Sequence, residues 1–411
     1  MTVRRLRLLA RARFVLGPSP ADTRQSLVAL GLGTMTSLAA GIALGLITDT
    51  LKDMPGLLVL VPAAIGMRGN IFGALGSRLS TSIHMGTFGL SRRIDTVVGQ
   101  NILASMVLTL SVSLALAGLA KLVAVAFSLT GSISFWDLVV ISVVGGVISS
   151  LVVLVATLAL AAGSTRFGWD LDNVAAPMVS AIGDVIGLPS LWLATLVVGS
   201  SGVTTAAGVV LTVACLVVLV GALRSGLIDL VHIVRESLPI LLVAGIVSLV
   251  AGVVVEKRLD SFTQFPALLV LLPGFLSSAG ALGGTLSSRL ATKVHLGLAE
   301  VSAIPSKAAR LDIGLIVFLA LPVFLGNALV AEFAAGLLDV RSPGLADMVA
   351  AALLGGMPAM VFVVVIAYYG TLAAVRLGVD PDSYGIPLVS SSVDLVGAFA
   401  LILVVVALGI T

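Results

Sequence analysis

Pro55–Gly86 reads PGLLVLVPAAIGMRGNIFGALGSRLSTSIHMG, and Pro266–Gly297 reads PALLVLLPGFLSSAGALGGTLSSRLATKVHLG. Set side by side without a gap, the two stretches agree at 15 of 32 positions with an offset of 211. That density marks an internal repeat, and a repeat governs how every other motif is read. It extends upstream, where Arg24 and Ser26 match Arg235 and Ser237. Downstream, WDLDNVAAPMVSAIGDVIG (Trp169–Gly187) matches VDPDSYGIPLVSSSVDLVG (Val379–Gly397) with an offset of 210.

Both copies are apolar, and so is the chain between them. Of 411 residues, 59% are hydrophobic and 10% are charged, with a mean hydropathy of +1.20, whereas soluble domains carry about 25% charged residues. A water-soluble globular protein and a disordered chain are excluded. With Cys215 the lone cysteine, so is a disulfide-stapled domain. Apolar runs long enough to cross a ~30 Å hydrocarbon layer as helices recur along the whole length. Eleven spans are expected, near 24–47, 54–88, 98–127, 135–163, 172–200, 204–222, 235–256, 265–298, 311–337, 345–375 and 382–410. The net charge of +3 is spread over loops and carries no nucleic-acid signal. The fold class is therefore an all-α polytopic membrane protein whose partner is the lipid bilayer.

Loop charges set the orientation. On the side of the N-terminus lie the tail residues Arg4, Arg5, Arg7, Arg11 and Arg13, then Arg92, Arg93, Arg166, Arg224, Arg235, Lys307, Arg310 and Arg376. The other side holds Lys52, Lys121, Lys257, Arg258 and Arg341. The N-terminus is expected in the cytoplasm and the C-terminus outside a plasma (inner) membrane. Residues 1–23 read as a retained basic tail, since no small-residue cleavage site follows them. The repeat divides the remainder into a first five-helix unit, 24–200, a linker helix within 201–234, and a second five-helix unit, 235–411. Six crossings per period is an even number, so both units enter the membrane from the same side. Parallel repeats of this kind are related by a pseudo-two-fold axis along the membrane normal. A chain that contains both units is expected to complete that axis as a monomer, with homo-oligomers left open. Cys215, in the linker, reads as a small packing residue.

Carboxylates in mid-membrane cost roughly 2.5–3.5 kcal/mol on insertion scales, so they mark function by default. Asp184 and Asp394 are repeat equivalents, about 12 residues inside the last helix of each unit, some 18 Å along the axis at 1.5 Å per residue. Facing one another across the axis, they require a cation between them or a shared proton. Each of these helices opens with acids, Asp170 and Asp172 or Asp380 and Asp382, which read as a pathway mouth or as helix caps. Pro177 and Pro387 follow and free backbone carbonyls to act as cation ligands. The second span of each unit carries a glycine-rich segment, Gly66–Gly73 around Gly69 and Ser277–Gly284 around Gly280. It reads as a helix break of the kind that holds ions in transporters, or as a close-packing surface. Asn70 offers a neutral oxygen to a hard cation there, while Ala281 stands at its counterpart. Arg68, opposite Ala279, is open to pairing with Asp184, gating or snorkelling. His84, His295 and His232 are too scattered for a transition-metal site. Arg78 and Arg289 read as anchors to lipid phosphate or inner-loop acids.

The proline-led glycine-rich helix, the S-R-L-S-T and S-R-L-A-T segments that end it (Ser77–Thr81 and Ser288–Thr292), and the D…P…D last helix together resemble the solute carrier 41 family. Its members are built from two copies of the membrane domain of the magnesium transporter MgtE. The resemblance implies divalent-cation transport, principally of Mg²⁺, with Na⁺ or H⁺ as a coupling ion left open. It implies a metal site on the axis formed by Asp184 and Asp394 with groups around Asn70 on the second helix. It does not imply an enzyme. Two rivals are weighed against it: a proton- or sodium-coupled carrier of another small solute, and an intramembrane aspartyl protease. The protease is associated with a G-x-G-D pattern, whereas this chain reads Ala181-Ile182-Gly183-Asp184 and Ser391-Ser392-Val393-Asp394.

Overall fold

Hydrocarbon supplies no water to bare N–H and C=O groups, so a spanning backbone must bond to itself, and this one does so as helices. The computed structural model describes residues 53–84, 93–129, 132–168, 171–199, 201–257, 264–295, 302–378 and 381–410, with scattered positions between 28 and 50 and within 86–89. Its helices, in chain order, are α1 (Leu57–His84), α2 (Val97–Ala126), α3 (Phe135–Phe167), α4 (Leu171–Thr195), α5 (Ser201–Arg224), α6 (Ile228–Glu256), α7 (Ala267–His295), α8 (Lys307–Leu337), α9 (Leu345–Leu377) and α10 (Pro381–Ala407). Each includes a stretch long and apolar enough to cross a membrane, and there is no strand among the described residues. The first expected span, 24–47, falls mostly outside the described residues, although 39–44 are helical. The helix ahead of the second repeat starts at Ile228, seven residues before the boundary read from the sequence.

Burial follows the repeat. Every buried residue of α8, from Ala309 to Ala335, lies 211 positions after a buried residue of α2. Caps follow it too. Helices α3 and α9 end in Gly168 and Gly378, at φ 69° and 68°, a left-handed turn that a Cβ would strain. Even the hydrogen bonds that tie the next loops recur with opposite charge. Lys121 Nζ donates to the Ser132 and Ile133 carbonyls, while Ser342 Oγ donates to Glu332 at the equivalent positions.

Glycines set the helix spacing. Gly41 lies against the backbone of Val270 in α7, and its counterpart Gly252 in α6 lies against the backbone of Val59 in α1. An operation that carries the first unit onto the second thus also carries the second onto the first, which is a two-fold relation. It also means that the leading helix of each unit rests on the opposite unit. Within the units, Gly145 packs on Leu191 and Gly355 on Leu401. Helix α5 packs on α3 and α2 through Cys215 and Gly208, the latter against Trp136, and leaves Val203, Val210 and Val217 exposed.

Candidate functional site

Asp184 and Asp394 each stand fourteenth in their helices, about 20 Å from the start at 1.5 Å per residue. Asp184 is buried and Asp394 half-buried. The two carboxylates are near enough to act on one another electrostatically. Asp394 is clasped from two directions. Ser248 Oγ of α6 donates to its Oδ2 at 2.7 Å. On the other side that same oxygen lies beside Gly66 of α1, in the first unit, 3.4 Å from where a Cβ would stand. A side chain at 66 would stand in ordinary van der Waals contact with that oxygen, so the carboxylate lies directly over this turn of α1.

Helix α1 organises the site by presenting different faces to different neighbours. Ile65, Gly69 and Gly76 face α4: a Cβ on Gly69 would meet Ser180 Oγ at 3.3 Å, and one on Gly76 would meet Ala175 at 2.9 Å. Gly66 faces Asp394, and Asn70, one turn further on, shares its stripe. Asn70 is 3% exposed, and its Nδ2 finds no hydrogen-bond partner. The second unit repeats the packing face, since Gly280 lies against Ser390 and Gly283 against Val389.

Several expectations change. Neither α1 nor α7 breaks at its glycine-rich segment, and both are helical throughout. The glycines serve close approach, because a missing Cβ lets a neighbouring helix reach the backbone without freeing its carbonyls. Helix α10 likewise continues through Pro387, and α4 through residue 177. Arg68 neither pairs with Asp184 nor snorkels: it is 4% exposed, and its Nε donates to Ser149 of α3. Arg78 and Arg289 both bond within the bundle. Arg78 Nε donates to Asn101 at 2.7 Å, and Arg289 pairs with Asp312 at 3.5 Å beside Lys293. Asp172 and Asp382 fall in the first turns of α4 and α10, but their side chains lie outside the described residues, as do those of His84 and His295 and all of Asp170 and Asp380. His232 is exposed and bonds to Glu236 at 3.3 Å.

Two polar residues at the site escape motif reading. Ser248 carries a signal within the repeat: Ser248-Leu249-Val250-Ala251-Gly252 matches Ser37-Leu38-Ala39-Ala40-Gly41 at offset 211, with the serine one turn before the glycine that meets the other unit. Ser391, one turn before Asp394, is 1% exposed with its Oγ unpartnered. Its counterpart is Ala181, so no repeat signal points to it.

Comparison with known proteins bears on both units. Residues 61–194 and 272–404 match MgtE, described as a divalent cation transporter, so that the two matches begin and end at equivalent positions of the repeat. The rat protein solute carrier family 41 member 3 is 29% identical over 287 residues, covering 65% of this chain and 58% of the relative. Chicken solute carrier family 41 member 2 is 26% identical over 287 residues, 65% of this chain and 47% of the relative. The chain therefore spans about half the length of the curated relatives it matches. A eukaryotic MATE transporter superposes with a TM-score of only 0.30 at 12% identity, covering 94% of this chain and 96% of that one. Matched in both repeats and over well more than half its residues, the chain belongs to the MgtE divalent cation transporter family.

Proposed function

We propose that this protein carries a divalent cation, Mg²⁺ foremost, across a plasma (inner) membrane between its two five-helix units, 24–200 and 235–411, joined by the linker helix within 201–234. Asp184 and Asp394 are the ion-binding carboxylates. The observation that carries this reading is that two repeat-equivalent carboxylates, from opposite units and midway along their helices, lie within electrostatic reach of one another. Two anions so placed are stable with a cation between them. Mg²⁺ sheds its water reluctantly and takes one or two carboxylates while keeping most of its shell. Asn70, Ser248 and Ser391 add neutral oxygens around that hydrated ion, and Asp172 and Asp382 form its mouth. Gly69 and Gly280, expected beside the ion, act at one remove by seating α1 on α4 and α7 on α10. The N-terminus is cytoplasmic, in keeping with the loop arginines.

Uptake of Mg²⁺ into proteoliposomes, followed by an enclosed indicator, tests the reading. The native protein takes up Mg²⁺, and Asp184→Asn or Asp394→Asn abolishes uptake while thermal unfolding stays cooperative. Equal uptake by native and substituted proteins would exclude these aspartates. Transport of another solute driven by a proton or sodium gradient, with no Mg²⁺ flux, would favour a coupled carrier.

A further inference from the structure

The first unit holds a buried positive charge that the second lacks. Arg68 is 4% exposed, and its Nη1 is buried with no hydrogen-bond partner. Its one hydrogen bond runs from Nε to Ser149 Oγ, whose own proton goes to the Gly145 carbonyl at 2.8 Å. Among the described residues no acid pairs with it. Asp394, the acid that reaches α1 from the other unit, accepts from Ser248. A guanidinium does not lose its proton, so the charge persists at mid-helix depth. Water would satisfy a stray donor there without bringing an opposite charge; the buried Asp184 follows Gly183, where a Cβ would lie 3.8 Å from Arg68 Cβ, but makes no ion pair with the guanidinium.

The surroundings of Arg68 differ between the units in a coordinated way. Ala279, Ala352 and Ala359 stand where the first unit has Arg68, Ser142 and Ser149. Phe275 and Phe324, ring to ring at 5.1 Å, stand where it has Ala64 and Ser113, and Met360 where it has Ser150. The Phe324 ring covers Gly356; at the equivalent Gly146 the neighbours are Ser113 Oγ and the Arg68 guanidinium. Where the second unit has three large apolar side chains, the first thus has small or hydroxyl-bearing ones around a single cation. The same backbone framework is lined by large apolar side chains in one unit, and by a cation with hydroxyls in the other.

We propose that Arg68 and the hydroxyls around it, Ser113 foremost, form a binding site for a small monovalent anion of halide size. Nη1 supplies the charged donor that the protein leaves unused, and Ser113 supplies a hydroxyl donor. Bound there, the anion cancels a fixed positive charge two residues from Gly66, against which Asp394 rests. The site stands apart from the proposed transport and does not depend on it.

The test is binding by the purified full chain in detergent. Thermal unfolding is measured in chloride and in gluconate at matched ionic strength, because a ligand that binds only the folded state raises the midpoint. Chloride raises the midpoint of the native protein by a few degrees over gluconate, and a crystal grown in bromide shows an anomalous peak beside Arg68 Nη1. Arg68→Ala, which gives the first unit what the second already carries, removes the difference. Ser113→Phe, which returns the ring of the second unit and keeps the arginine, removes it too, so the test survives if one variant fails to fold. Equal midpoints in the two salts, or a chloride effect that persists in Arg68→Ala, would overturn the site and leave water as the partner of Nη1.

Discussion

Replacing Ser248 with alanine removes one oxygen and tests whether α6 helps to form the ion site. Ser248 is fully buried, and its hydroxyl donates to Asp394 Oδ2 at 2.7 Å. Hydrogen bonds to ionised groups contribute about 1.5–3 kcal/mol. At about 1.4 kcal/mol per factor of ten, losing this one weakens the ordered carboxylate by at least about tenfold. The sign follows from lone pairs. A carboxylate offers about four acceptor directions, so one bond to serine orients the group and leaves the rest for the ion. Ser248→Ala should therefore raise the half-saturating Mg²⁺ concentration about tenfold with little change in maximal flux, whereas Ser248→Thr, which keeps the hydroxyl, stays near native. Initial uptake into proteoliposomes over a range of Mg²⁺ concentrations gives both quantities. Half-saturation unchanged within about twofold, or lowered, in a folded Ser248→Ala protein would show that the serine does not prepare Asp394 for the ion.

Further outcomes follow from the packing. Gly252→Leu drives a side chain into the Val59 backbone and should prevent folding, whereas Gly221→Ala, with open space around it, should leave the unfolding midpoint unchanged or slightly higher; fluorescence-detected size exclusion and thermal scans read both. Phe324→Ala opens a cavity beside Phe275 and Gly356 at a cost of about 3–5 kcal/mol, visible as a large fall in midpoint. Asp312→Ala strands Arg289 and Lys293 and should destabilise well beyond Asp312→Asn, which reproduces the amide that Asn101 presents to Arg78 at the equivalent place; a smaller effect of alanine than of asparagine in thermal scans would contradict the assigned pairing.

Much of this arrangement was legible before any coordinates. The offset of 211 between Pro55 and Pro266, with 210 further along, carried the helix order and the equivalence of Asp184 with Asp394, because duplication preserves which residues meet. What it did not carry was the state of the glycine-rich segments. A run such as Gly66–Gly73 has the same composition whether it breaks a helix or seats one, and only the neighbour opposite decides. Ser180 and Ala175 decide it here. Arg68 was likewise visible as an anomaly but not as an environment, since Ser149 and Ser113 come from different helices and only the fold brings them to it. Ser391 gave no signal, because the middle serine of a Ser-Ser-Ser run looks like any small helix residue.

The reciprocal seating of Gly41 on Val270 and Gly252 on Val59 sets a schedule for synthesis. When α6 emerges, its seat on α1 has long been made. The leading helix of the first unit has no such seat until α7 follows it, more than 200 residues later along the chain. At ribosomal rates of about 5–20 residues per second, that wait lasts roughly 10–45 s. Through it, the helical stretch around Gly41, shaped to meet the Val270 backbone, rests against lipid or the insertion machinery. A ribosome that stalls before α7 therefore leaves a membrane-inserted fragment in which Gly41 lacks its seat on Val270, a form that quality control can recognise by that uncovered contact.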